Sequence, residues 1–136
     1  MVYSKKFPSG LRLVVKKIDG LLSVSMGVLV GTGSCFESAE ENGISHFIEH
    51  MMFKGTEKRT AFEISDAMDR IGAQVNAFTS KDITCYYAKS TSDHAEEAFS
   101  VLSDFVLGSV FPEEEMDREK GVVLEEISMT EDTPDD

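Results

Sequence analysis

Gly43-Ile44-Ser45-His46-Phe47-Ile48-Glu49-His50-Met51-Met52-Phe53-Lys54-Gly55-Thr56 is the stretch from which the rest of this chain can be read. It holds two of the three histidines in 136 residues. On a helix, residues four apart lie almost over one another and residues three apart are close neighbours, so His46, Glu49 and His50 share one face. Two imidazoles so placed can clamp a divalent metal, and a carboxylate beside them can take a proton from water. The pattern H-x-x-E-H is an inverted zincin signature. Asn42 is the expected N-cap and Gly55 the expected C-terminal stop. Ile44, Phe47, Ile48, Met51 and Met52 form an apolar stripe at helical spacing. The metal-type residues flank that stripe and so face inward or into a cleft.

Working outward, the chain is one domain's worth of residues, and at 41% hydrophobic it can bury a core. Its balance of 13 basic against 25 acidic residues, net −12, argues against a nucleic-acid partner, which requires a basic face. It equally argues against an anionic membrane surface. No apolar run approaches the ~20 residues of a membrane span, and no basic-then-apolar leader opens the chain. The expectation is a cytoplasmic protein. Cys35 and Cys85 have no zinc-finger or redox spacing and read as buried thiols.

Patterning predicts an α+β chain. Strands are expected over 3–7, 11–18 and 22–30, joined by the turns Pro8-Ser9-Gly10 and Asp19-Gly20. In the third strand, Val24, Met26, Val28 and Val30 share one face. The small residues Ser23, Ser25 and Gly27 on the other suggest close packing. Thr60 and Glu63 form a capping box for a helix buried through Ile64, Ala67, Met68 and Ile71, which ends at Gly72. Residues 73–79 and 83–90 read as a hairpin around Ser80-Lys81-Asp82. Ser92 is the expected cap of a helix facing the core through Ala95, Phe99, Leu102 and Val106. Pro112 opens a last helix whose glutamates Glu113 to Glu115 suit its positive end, running to about Met129 before Pro134.

A catalytic zinc site takes three protein ligands plus water. From the residues alone the third ligand stays open among His94, Cys85 and many carboxylates. His94 has charged neighbours and reads as solvated. Glu119 and Glu126 lie seven apart on one face of the last helix, with Val122 and Val123 between them facing a core, whereas Glu125 points about 100° away. A carboxylate beside buried valines needs a partner or a metal.

The run Gly43 to Thr56 closely resembles the M16 metallopeptidases, which include pitrilysin, insulin-degrading enzyme and the mitochondrial processing peptidase β subunit. The resemblance continues through Gly72-Ala73-Gln74-Val75-Asn76-Ala77-Phe78-Thr79-Ser80, Asp82-Ile83-Thr84 and Arg118-Glu119-Lys120-Gly121-Val122-Val123-Leu124-Glu125-Glu126-Ile127, and includes Ser9 to Val14. It implies a LuxS/MPP-like fold, a largely antiparallel sheet with helices packed on one side. It implies a Zn2+-dependent endopeptidase acting on peptides or unfolded polypeptides. His46, His50 and Glu126 match the family's metal ligands, Glu49 its general base and Glu119 a supporting acidic group. Asn76, Ala77 and Phe78 match the strand to which substrates add.

The family's catalytic unit is longer than this chain, so residues 1–136 are expected to be the N-terminal part of an incomplete first domain. Its partners would be a peptide substrate and either the remainder of the protease or further copies of itself. Glu131, Asp132, Asp135 and Asp136 could meet a basic substrate residue, though a solvated acidic end is the plainer reading. Two rivals remain. One is a non-catalytic zinc- or peptide-binding subunit or scaffold, against which the intact Glu49 weighs. The other is an S-ribosylhomocysteine lyase, which shares H-x-x-E-H but uses a cysteine ligand. Cys85 lacks that family's surrounding pattern.

Overall fold

The computed structural model describes residues 1–132, with side chains described through Thr130. The strands are β1 (Val2–Lys6), β2 (Arg12–Lys16), β3 (Ser23–Val30), β4 (Gln74–Thr79) and β5 (Thr84–Thr91). The helices are α1 (Ile44–Met51), α2 (Ala61–Arg70), α3 (Ala95–Gly108) and α4 (Glu113–Asp132). Antiparallel β1 and β2 form a separate ribbon, and β3, β5 and β4 form a three-stranded antiparallel sheet in that order. The expected α+β class and the β4–β5 hairpin are both found. The opening strands do not form one meander, because β3 pairs with β5 and not with β2.

Register explains which sheet face is buried. Met26, Ala88 and Val75 lie side by side across the sheet, as do Val28, Tyr86 and Ala77. These rows meet Met52, Ile64, Met68, Val101, Leu102 and Phe105 from the helical side, giving one continuous core. The opposite rows, through Gly27, Tyr87 and Asn76 and through Leu29 and Phe78, are exposed apart from the buried Cys85. The small residues of β3 therefore do not receive a packed element among the described residues.

The ends of the helices show where local signals yield to longer-range ones. The capping box of α2 forms as expected: Glu63 N–H donates to Thr60 Oγ1 at 3.2 Å and Thr60 N–H to Glu63 Oε2 at 2.7 Å. Asn42 does not cap α1. The N-cap is Gly43, at φ 91°, a left-handed conformation that favours glycine. The carboxylate of Glu37 takes the orphan N–H groups of Gly43 and Ser45 at 2.7 and 2.8 Å. Those two backbone bonds hold its carboxyl below the ordinary range. Gly33 seats the same loop: a Cβ there would run into the Ser80 carbonyl, and Cys35 N–H donates to Lys81 O at 2.8 Å. The start of α1 is thus fastened to the β4–β5 turn.

Three further expectations are corrected. Ser92 begins a short 3-10 turn, not α3 itself, and α3 buries Ala98, Val101, Leu102 and Phe105 while Phe99 is exposed. The 98-101-102-105 set is the tighter i, i+3, i+4, i+7 stripe and fits the sheet. Cys35 is exposed, since its loop lies outside the core, whereas Cys85 is buried as expected. Of the apolar residues expected to face the core on α4, Val123 is buried and Val122 is exposed, as are Ile44 and Ile48 on α1. Pro134, Asp135 and Asp136 lie outside the described residues, as do the side chains of Glu131 and Asp132.

Candidate metal centre

Helix α1 presents His46 and His50 one turn apart, and α4 packs beside it with Glu119 and Glu126 facing back. His46 Nε2 and His50 Nε2 are 3.1 Å apart. Glu126 Oε2 stands 3.4 Å from each. These three atoms make a nearly equilateral triangle, and the three residues are the group capable of holding a metal ion among the described residues. Tetrahedral zinc, with ligands at about 2.0–2.1 Å, requires ligand atoms roughly 3.3 Å apart. The observed edges fit that requirement. His46 and Glu126 are partly exposed, at 36% and 47% of their side chains, so the triangle has an open side.

The second ring nitrogen of His50 decides the chemistry of the first. His50 Nδ1 lies 2.9 Å from Glu119 Oε2. Glu119 is only 6% exposed. Burial raises its carboxyl, but hydrogen bonds from Lys54 and His50 outweigh that and hold it below the ordinary carboxylate range. An ionised carboxylate only accepts, so Nδ1 carries the proton in this bond, and in the neutral ring Nε2 is then the nitrogen available to the triangle. The other oxygen of Glu119 takes the Lys54 ammonium at 2.7 Å.

Glu49 sits on the same face of α1, half-buried, and accepts from the Thr79 hydroxyl at the end of β4. Its charge also reaches Tyr86, whose hydroxyl is pushed up to about 12, mainly by burial and then by Glu49. The remaining candidates lie apart. His94 binds Glu97 at 2.9 Å on the surface. Glu125 is exposed, and Cys85 lies on the sheet face opposite the helices. Asn76, Ala77 and Phe78 are on β4, which pairs with β5 along one edge and has no second strand beside it among the described residues. Asn76 Oδ1 accepts from Ala77 N–H at 2.8 Å.

Residues 13–136 match the insulinase family, peptidase family M16. The chain belongs to peptidase family M16. A relative from Bacillus subtilis, YmxG, named an uncharacterized zinc protease, is 55% identical over 94% of this chain and 31% of its own length. An uncharacterized zinc protease from Streptomyces coelicolor is 44% identical over 95% of this chain and 28% of its own. The crystal structure of a protease from Helicobacter pylori superposes with a TM-score of 0.92 at 29% identity, over 98% of this chain and 33% of that one. The fold is shared also with the peptidase M16 inactive domain from Pseudomonas fluorescens, at a TM-score of 0.87 and 18% identity. This M16 chain thus spans about a third of the length of these relatives.

Sequence reading missed two residues of the M16 centre: Lys54, which touches Glu119, and Thr79, which touches Glu49. Lys54 lies inside the quoted stretch, but its position beyond the end of α1 gives no helical spacing from which to infer its direction. Thr79 is brought to Glu49 only by the packing of α1 on β4.

Proposed function

We propose that this chain carries the metal centre of a zinc endopeptidase that hydrolyses peptides or unfolded polypeptides. His46, His50 and Glu126 are its ligands, Glu49 its general base and Glu119 the group that orients His50. The observation that carries this reading is the triangle of Nε2, Nε2 and Oε2 atoms with 3.1–3.4 Å edges and one open side. Bound zinc would supply Lewis acidity and lower the pKa of its water toward ~7. Glu49 takes the proton from the attacking water and returns it to the leaving amine. Thr79 occupies one carboxylate oxygen of Glu49 and aims the other. The free edge of β4, at Asn76, Ala77 and Phe78, holds the substrate backbone as an added strand, with Asn76 releasing the Ala77 N–H.

The macromolecular partner is either the polypeptide that the longer relatives carry outside the matched third or a second copy of this chain. A non-catalytic zinc- or peptide-binding role is the second reading, for which the free edge of β4 suffices without turnover. Zinc stoichiometry measured alongside cleavage of a quenched peptide tests both. One zinc per chain with cleavage by the full-length protein supports the peptidase. Zinc without cleavage supports the scaffold, and no zinc refutes the peptidase and the zinc-binding form of the second reading.

A further inference from the structure

We propose that Lys54 is a positioning residue for the metal centre: it holds the Glu119 carboxylate so that His50 keeps its proton on Nδ1 and its lone pair on Nε2. The inference rests on the metal-site reading above and goes beyond it in naming a cation two contacts away from the ligand. Lys54 lies in the turn that follows α1, its N–H donating to Met51 O at 3.1 Å. Gly55 beside it, at φ 132°, turns the chain immediately afterwards. From this short, fixed turn the Lys54 ammonium reaches α4.

The two oxygens of Glu119 are divided between two donors. Oε1 meets Lys54 Nζ at 2.7 Å and Oε2 meets His50 Nδ1 at 2.9 Å. The terminal torsion of a glutamate is broad and roughly two-fold, so a single hydrogen bond does not fix the carboxylate plane. A second, charge-assisted bond to the opposite oxygen does. Without Lys54 the carboxylate is free to turn, and His50 can place its proton on Nε2, where it blocks the triangle. A plain clamp between α1 and α4 is the competing role for Lys54, because its ammonium also lies 4.0 Å from Glu115. That contact is long, and Glu115 is already engaged by Arg118 at 2.7 Å. The short bond goes to Glu119.

The test compares K54M, K54R and E115Q with the unaltered chain, by zinc affinity in chelator competition and by long-range proton–nitrogen spectra of the metal-free His50 ring. K54M should weaken zinc binding about 10–100-fold, the usual cost of losing a group that orients a ligand. K54R should retain most of the affinity, and E115Q should leave it unchanged. The spectra should show one Nδ1–H tautomer in the unaltered chain and a mixture in K54M. Equal zinc affinity in K54M, an equal loss in E115Q, or an unchanged tautomer in K54M overturns the proposal. If K54M does not fold, the K54R and E115Q affinities and their tautomers decide. If the unaltered chain binds no zinc, the metal-site reading fails; the tautomer spectra still judge the role of Lys54 on His50.

Discussion

Glu49 and Glu126 are both carboxylates, the first on the histidine face of α1 and the second on α4, and their surroundings differ. Glu126 completes the triangle with the two Nε2 atoms, whereas Glu49 accepts a hydrogen bond from the Thr79 hydroxyl. Replacing Glu49 by Gln should leave zinc stoichiometry unchanged and abolish peptide cleavage in the full-length protein; loss of zinc, or normal turnover, would contradict a base that is not a ligand. Replacing Glu126 by Gln should weaken zinc binding by more than the roughly 10–100-fold of an outer-shell change, while Glu125→Gln leaves it near normal. Metal titration of the two variants reads this directly, and equal effects would count against Glu126. The distinction between these adjacent glutamates illustrates what the residues disclosed. Helical spacing put His46, Glu49 and His50 on one face and separated Glu125 from Glu126, but the choice of Glu126 came from resemblance. Only the packing of α4 on α1 brings its oxygen to 3.4 Å from both imidazoles.

Among the elements, α3 is tied to the loop leading into α2 by a polar link at the core's edge. Arg59 Nη1 donates to Asp104 Oδ2 at 2.7 Å, and Thr56 Oγ1 donates to the same oxygen at 2.9 Å. Burial raises the Asp104 carboxyl, but these two bonds and the nearby Arg59 charge hold it below its ordinary value. A depressed carboxyl contributes stability that is present above its unfolded pKa of about 3.9 and is lost as pH falls through the lower folded value. Acid titration of stability should therefore be flatter in Asp104→Asn. Asp104→Ala should cost about 2 kcal/mol at neutral pH, because it strands the half-exposed Arg59 and the Thr56 hydroxyl. Thr60→Ala, removing the α2 cap, should cost about 1 kcal/mol; thermal or urea unfolding measures both. The α2 cap was legible because its two partners are three residues apart. The cap of α1 was not, because Glu37 reaches Gly43 and Ser45 from a loop. The buried stripe of α3 was displaced by one position for a similar reason. Several apolar sets run along that helix, and the sheet selects the one containing Phe105.

For the whole molecule, the outstanding property is apolar surface that the described residues leave open. The β1–β2 ribbon exposes Val2, Tyr3, Leu13, Val14 and Val15, and the linker beyond it exposes Leu22 at 83%. The uncovered sheet face adds Leu29 and Phe78, and α3 exposes Leu107 at 86%. Exposure on this scale, with an eight-residue β3 at a sheet edge, favours association. The isolated 136-residue chain should elute in size-exclusion chromatography above its 15.0 kDa monomer mass, increasingly so with concentration. A concentration-independent monomer would contradict this. By itself the sequence determined the class of elements, the histidine face of α1, the α2 cap and the β4–β5 hairpin, because each depends on residues at most a few turns apart. Tertiary structure alone decided the strand order β3-β5-β4, the Glu37 cap, and the meeting of Glu126, Glu119, Lys54 and Thr79 with the histidine helix. The contacts of the centre join residues 30 to 80 positions apart, the Glu37 cap reaches back from an irregular loop, and no local spacing encodes the direction in which one packed element or loop faces another. The histidine stretch thus supplies two corners of the candidate metal centre, and the docking of α4 and β4 brings the third corner, Glu126, and the groups that touch His50 and Glu49.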